Sequence, residues 1–173
     1  MIPGISSRRR FADLTEQEVL ALAISSEEDD GRIYRSYAES LRTDYPGSAA
    51  VFDGMAAEEN RHRQRLIDLH TSRFGDVIPL IRREHVAGFY ARRPVWLTEN
   101  LGLERIRAEA HGMEQDAAAF YQRAAARTTD AATRRLLGDL AAAEAGHVRL
   151  ADGLEAELLG GDTRAKEDAG ARR

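Results

Sequence analysis

Cysteine is absent from the 173 residues, which excludes a disulfide framework, thiolate catalysis, zinc fingers and cysteine-ligated iron–sulfur clusters. Proline is scarce, with four at positions 3, 46, 79 and 94, so little interrupts helix formation. Aromatic residues make up 6%. No apolar run approaches the roughly 18 residues needed to span a membrane. Positive charge is not in excess: 25 Lys and Arg against 29 Asp and Glu leave a net charge of −4, which argues against general nucleic-acid binding. The opening MIPGISSRRRF has charge but no apolar stretch behind it, so no signal peptide is expected. What is present is 43% hydrophobic and 31% charged residues, enough to bury a core in one domain of ordinary size. The expectation is a soluble, cytosol-compatible domain.

Alanine, leucine, glutamate and arginine dominate, which favours helix. Thr15-Glu-Gln-Glu18 is a capping-box pattern, in which hydroxyl and carboxylate satisfy free N–H groups reciprocally. Behind it Leu20, Ile24, Gly31, Tyr34, Ala38 and Leu41 recur at the spacing of one helix face. Pro46 breaks the pattern, because it suits a first turn and not a helix interior. A second helix carries Phe52, Met55, Leu66 and Leu69 and stops near Gly75. Residues 75–102 are mixed, punctuated by Pro79, Gly88, Pro94 and Gly102, with one short helix expected around Arg82–Phe89. A connector of that length is a crossover or a functional loop. A third helix is expected from near Leu103 to about Arg127, with Leu103, Ile106, Ala110, Ala117, Tyr121 and Ala124 inward. Thr129 or Asp130 caps a fourth, whose inner face reads Leu137, Leu140, Ala151, Leu154 and Leu158 up to Gly160-Gly161. Two short links and one long one imply an all-α fold, two helical hairpins joined by a crossover into a four-helix bundle. The expected organisation is an N-terminal extension (1–14), the bundle (15–159) and a polar tail (160–173).

The inner faces are interrupted by charge. The helical spacing passes through Glu27 on the first helix, Glu59 and His62 on the second, Glu114 on the third, and Glu144 and His147 on the fourth. A lone buried carboxylate costs several kcal/mol or is forced neutral. Two divalent cations offset that cost, since four glutamates contribute −4 and neutral imidazoles nothing. Within Glu-x-x-His the side chains lie about 60° apart around the helix axis, close enough to share one ion. One Glu from each of two helices, plus Glu-x-x-His from the other two, is a ligand set that holds a metal pair in a bundle core.

Any one such glutamate reads more readily as a surface residue, but the pattern repeats. Shifted by 87, EEDDGRIYRSYA (27–38) lies over EQDAAAFYQRAA (114–125), matching Glu27 with Glu114 and Tyr34 with Tyr121. Shifted by 85, MAAEENRH (55–62) lies over LAAAEAGH (140–147), matching Glu59 with Glu144 and His62 with His147. Each half therefore supplies Glu-x₆-Tyr on one helix and Glu-x-x-His on the next.

These motifs resemble those of the rubrerythrin branch of the ferritin-like superfamily. More narrowly, RRRFADLTEQEVLALAISSEEDDGRIY, YPGSAAVFDGMAAEENRHRQRLIDLH and the crossover IPLIRREHVAGFYARRPVWL resemble the N-terminal domain of bacterial membrane-bound ferritin A, the erythrin–vacuolar iron transporter fusion family. The resemblance covers roughly residues 8–160. It implies two bound Fe ions, with Mn or Zn as substitutes. It also implies that Glu27 and Glu114 are terminal ligands, that Glu59 and Glu144 bridge, and that His62 and His147 each cap one ion. Tyr34 and Tyr121 are then expected to hydrogen-bond to ligand carboxylates and orient them. Rubrerythrins carry a further glutamate one turn along the third helix, where this chain has Ala117, with His111 on the other side of Glu114. That puts a rubrerythrin-type peroxidase cycle in doubt and makes His111 a possible extra ligand.

By the same resemblance the chain is the iron-sensing or ferroxidase portion of an iron exporter, oxidising Fe(II) with O₂ or H₂O₂. It would then lie at the cytoplasmic face of the inner membrane and be followed by a membrane iron-transport domain, with residues 166–173 as linker. The alternative is a free-standing, rubrerythrin-like peroxide reductase, whose reductant must come from another protein because no cysteine is present to build a rubredoxin-like centre. A third reading is a non-catalytic helical module held by inward salt bridges. A homodimer is expected, and the long connector permits a swapped one. Among the remaining polar residues, Glu28, Asp29 and Asp30 read as a solvated face in preference to an iron access path. Glu58 points about 100° from Glu59 and reads as exposed. His70 and His85 lack partners at ligand spacing. Arg82, Arg83, Arg92 and Arg93, interleaved with Phe89, Tyr90 and Trp96, suggest crossover packing or dimer contacts in preference to a nucleic-acid or phospholipid surface.

Overall fold

Thr15 opens the first helix as its capping box requires. Its hydroxyl accepts from the Glu18 N–H at 3.2 Å, and its own N–H donates to Glu18 Oε2 at 2.9 Å. The computed structural model describes residues 8–89, 92, 94 and 101–148. Helix α1 runs Glu16–Leu41 and α2 Pro46–Phe74, with Pro46 in the first turn of α2. Gly75 ends α2 at φ 87°, its N–H donating to Thr71 O at 3.0 Å, a conformation that favours glycine. Helix α3 spans Leu103–Arg127, and residues 131–148 are helical as α4. Of the two candidate caps for α4, Asp130 takes the role: the Thr133 N–H and Oγ1 both donate to its Oδ2 at 2.8 Å. The fold is thus an all-α four-helix bundle.

Glu16 ties one end of the bundle together. Its Oε1 accepts from Thr128 Oγ1 at 2.5 Å and from the Thr129 N–H at 2.6 Å, and Arg73 at the end of α2 donates to its Oε2 at 2.9 Å. The core lies in two apolar clusters. One gathers Leu20, Leu66, Phe120, Leu137 and Leu140, and the other Tyr34, Tyr37, Phe52, Ile106 and Met113. Along the helices, the break between them falls at Glu27, at Glu59 and His62, and just after Met113. Polar groups thus occupy the middle of the bundle. At that level Gly31 faces α2, where a Cβ would lie in ordinary contact, 3.4 Å from Glu59 Cβ.

The crossover differs from the single short helix expected over Arg82–Phe89. Arg83–His85 form one 3-10 turn. Val86–Ala87 (β2) then extend and pair in parallel with Arg9–Arg10 (β1), Arg9 opposite Val86 and Arg10 opposite Ala87. β-Branched Val86 suits the extended backbone, and Gly88 at φ 70° turns the chain out of it. Phe89 then packs tilted against Phe11 and edge-on to Phe120, at 6.5 and 5.2 Å between ring centroids. Phe11 and Leu14 are buried with this cluster, so residues 9–14 pack on the bundle. Among the described residues no helix is long and apolar enough to cross a membrane. Tyr90, Arg93, Trp96, Ala151, Leu154, Leu158 and the tail from 160 lie outside the described residues.

Candidate metal centre

Each helix delivers its inward charge to the same level of the bundle. Glu27, Glu59, Glu114 and Glu144 are at most 4% exposed, too little for any of them to be solvated as a surface carboxylate. Their donor atoms form two overlapping groups, in each of which all the atoms lie within 4.8 Å of one another. The first is Glu27, Glu59, His62 and Glu144; the second is Glu59, Glu114, Glu144 and His147. Glu59 and Glu144 belong to both. Each of these two carboxylates could therefore serve either of two adjacent metal positions.

The imidazoles stand parallel, 6.2 Å between centroids and 13° between planes. His62 Nδ1 lies 2.9 Å from Glu144 Oε1 and 3.6 Å from Glu27 Oε2. His147 Nδ1 is 3.2 Å from Glu114 Oε2 and 3.8 Å from Glu144 Oε2. Two tyrosines hold the outer carboxylates from across the bundle. Tyr34 Oη donates to Glu114 Oε1 at 2.5 Å, and Tyr121 Oη donates to Glu27 Oε1. Each leaves Oε2 of its glutamate facing an imidazole. Burial, reinforced by Glu114 and Glu59, pushes the Tyr34 phenol well above its ordinary value, so it stays a donor.

The electrostatics are those of a site crowded with negative charge. Burial, then repulsion from Glu27, Glu144 and Glu114, pushes Glu59 well above the usual carboxylate range. Burial lifts Glu114 to about 7 against the opposing pull of His147. Burial also acts to raise Glu144, but His147 and His62 beside it outweigh that and bring it below its ordinary value. Burial pulls the His62 imidazole down, and the carboxylates of Glu144 and Glu27 more than reverse this, to about 9. Bonding to Glu114 and Glu144 carries His147 to about 10. Protons thus occupy places where cations are favoured.

The donor set also fits a metal by what it leaves unsatisfied. Glu27 Oε2, Glu59 Oε1, His62 Nδ1 and Glu144 Oε1 are buried without an aligned hydrogen-bond partner, all four in the first group. The His62 and Glu144 atoms, 2.9 Å apart, satisfy one another only in part, and a cation held among the group would complete their bonding. Mixed carboxylate and imidazole donors suit Fe, Mn or Zn.

Other expected residues fall elsewhere. His111 is half-buried on α3 and belongs to neither donor group. His70 is fully buried, with Nδ1 3.1 Å from Gly75 O, and His85 Nδ1 accepts from the Arg82 N–H at 3.2 Å. Two expectations need correction. Glu58, expected to be exposed, is half-buried with its Oε2 against His147 Nε2. Asp29 and Asp30 of the acidic cluster on α1 are no solvated face, because the crossover arginines cover them, whereas Glu28 pairs with Arg32 of the same helix. Arg82 donates to Asp29 at 2.6 Å, and Arg83 to Ser26 O and Asp30 Oδ1, both at 2.7 Å. Arg92 reaches Asp30 at 3.0 Å and Asp116 of α3 at 2.8 Å. Helical phase alone shows neither arrangement, since both depend on what packs above the residue.

A four-helix bundle of two hairpins and a crossover, with a carboxylate–imidazole cluster able to hold metal at its centre, is a ferritin-like architecture. The chain belongs to the rubrerythrin family, whose pattern matches residues 18–155. A solved structure of a hypothetical protein from Pyrococcus furiosus is similar to it, with a TM-score of 0.66 and 25% identity, covering 87% of this chain and 94% of that one. No curated protein matches the chain.

Proposed function

We propose that the chain is a di-iron domain that senses or oxidises Fe(II) for an iron exporter, with O₂ or H₂O₂ as the oxidant. The observation carrying this reading is that Glu59 and Glu144 belong to both donor groups. Glu27 and His62 complete one metal position, Glu114 and His147 the other. Tyr121 and Tyr34 each occupy one oxygen of the terminal carboxylates, which aims the other oxygen inward. A bound iron pair supplies the one-electron steps that carry electrons from Fe(II) to the oxidant. The apolar clusters on either side keep water from the charged middle and so strengthen its electrostatics. The exporter assignment draws on the crossover and ligand motifs that resemble membrane-bound ferritin A. A following membrane transport domain, a cytoplasmic position beneath it and a homodimer, swapped or not, belong to the same proposal.

Anaerobic Fe(II) titration tests the reading. Binding is expected to saturate near two ions per chain and to raise stability by about 2.7 kcal/mol for each ion at a hundredfold excess over Kd. Saturation at zero, or an unchanged titration in Glu59→Ala, overturns it. Ala117, standing where rubrerythrins place a further glutamate, is buried on α3 and offers no ligand. A large kinetic preference for H₂O₂ over O₂ in stopped flow would instead favour the peroxide-reductase reading.

A further inference from the structure

Glu58 is the carboxylate beside the cluster that the proposed chemistry leaves unused. It sits on α2 directly before Glu59, its side chain 38% exposed. Its Oε2 contacts His147 Nε2 on α4, and its Oε1 lies 3.3 Å from the Arg61 guanidinium. The other ring nitrogen of His147 faces inward, Nδ1 being 3.2 Å from Glu114 Oε2. A carboxylate on the outer nitrogen holds the proton there, fixes the ring and makes the inner nitrogen a stronger donor.

The internal repeat does not reproduce this device. His62 is the counterpart of His147 under the 85-residue shift, and the counterpart of Glu58 is Ala143. A methyl group therefore stands at the repeat-equivalent position, from which a carboxylate would have supported His62. We infer that Glu58 is a positioning residue for His147 and makes the two metal positions inequivalent, the group of Glu59, Glu114, Glu144 and His147 holding its ion more tightly than the group of Glu27, Glu59, His62 and Glu144. This rests on the metal reading above and adds an order of filling to it.

The test is anaerobic Co(II) titration of the full chain, followed by calorimetry and visible absorption, with proton NMR of the loaded protein. The wild type is expected to bind two Co(II) ions in separate steps. Glu58→Ala should weaken the tighter step by about 10–100-fold and leave the weaker one in place. Glu58→Gln, whose amide oxygen still accepts from Nε2–H, should recover part of the loss. The hyperfine-shifted ring N–H of His147 should exchange slowly in the wild type and be lost to solvent exchange in Glu58→Ala. An unchanged Glu58→Ala titration overturns the inference and leaves the metal reading standing. So does equal weakening of both steps with no recovery in Glu58→Gln. A wild type that binds no Co(II) removes both.

Discussion

Tyr34 of α1 donates to Glu114 of α3, and its repeat counterpart Tyr121 of α3 donates to Glu27 of α1. The two halves of the chain thus orient each other's carboxylates. Neither hairpin completes its own outer ligand.

Tyr34→Phe should therefore act on the opposite half. The ring still packs on Phe52, 6.1 Å away, so the loss isolates one hydrogen bond to a buried carboxylate, about 1.5–3 kcal/mol. Urea denaturation of the metal-free protein measures it. Tyr121→Phe should lose a similar amount, and each variant should weaken metal binding. Unchanged stability and binding in both would show the tyrosines to be ordinary core aromatics.

Arg83 fastens the crossover beside Glu27 through Ser26 O and the buried Asp30. Arg83→Met leaves Asp30 still paired with Arg92, which argues for the low end of the cost of breaking a buried pair, about 3 kcal/mol. A double-mutant cycle with Asp30→Asn should give a coupling energy well above zero. Additive losses would mean that the pair contributes nothing of its own.

Glu16 should give the fold an acid-sensitive joint. Bonding from Thr128, opposed by burial and aided by the Thr129 N–H and Arg73, holds it at about 2 against an ordinary 4.5. The unfolded chain takes up that proton first, so the contribution is complete above pH 4.5 and disappears as pH falls through 2. Urea midpoints measured from pH 6 down to about pH 2.5 should fall less steeply in Glu16→Gln. Some slope persists because Glu18, bonded to Arg9, is also held at about 2. Identical slopes would contradict this account of the joint.

Local signals carried much of the fold. The Thr15 capping box, Pro46, Gly75 and the extent of α3 depend on a few neighbouring residues, and helical periodicity with the 85- and 87-residue repeat is one-dimensional. That is why spacing alone marks Glu27, Glu59, His62, Glu114, Glu144 and His147 as inward. What escaped depends on distant partners. Glu58 lies off the inner face by phase, and only the closeness of α4 brings it to His147. Asp30 looks like part of a charged surface until the crossover lays Arg83 and Arg92 over it. The pairing of Arg9–Arg10 with Val86–Ala87 joins segments too short to announce themselves as strands. Thr129 and Asp130 are equal as caps by sequence because nothing local shows that the Thr129 N–H is drawn to Glu16.

The central claim is that the buried carboxylates and imidazoles hold a pair of metal ions. Anomalous diffraction on either side of the iron edge, from crystals grown anaerobically with ferrous salt, tests it most directly. Two peaks are expected at the bundle centre, one contacting Glu27 and His62, the other Glu114 and His147, and both contacting Glu59 and Glu144. Maps with no peak among these side chains, their carboxylates and imidazoles bonded only to one another, would contradict it.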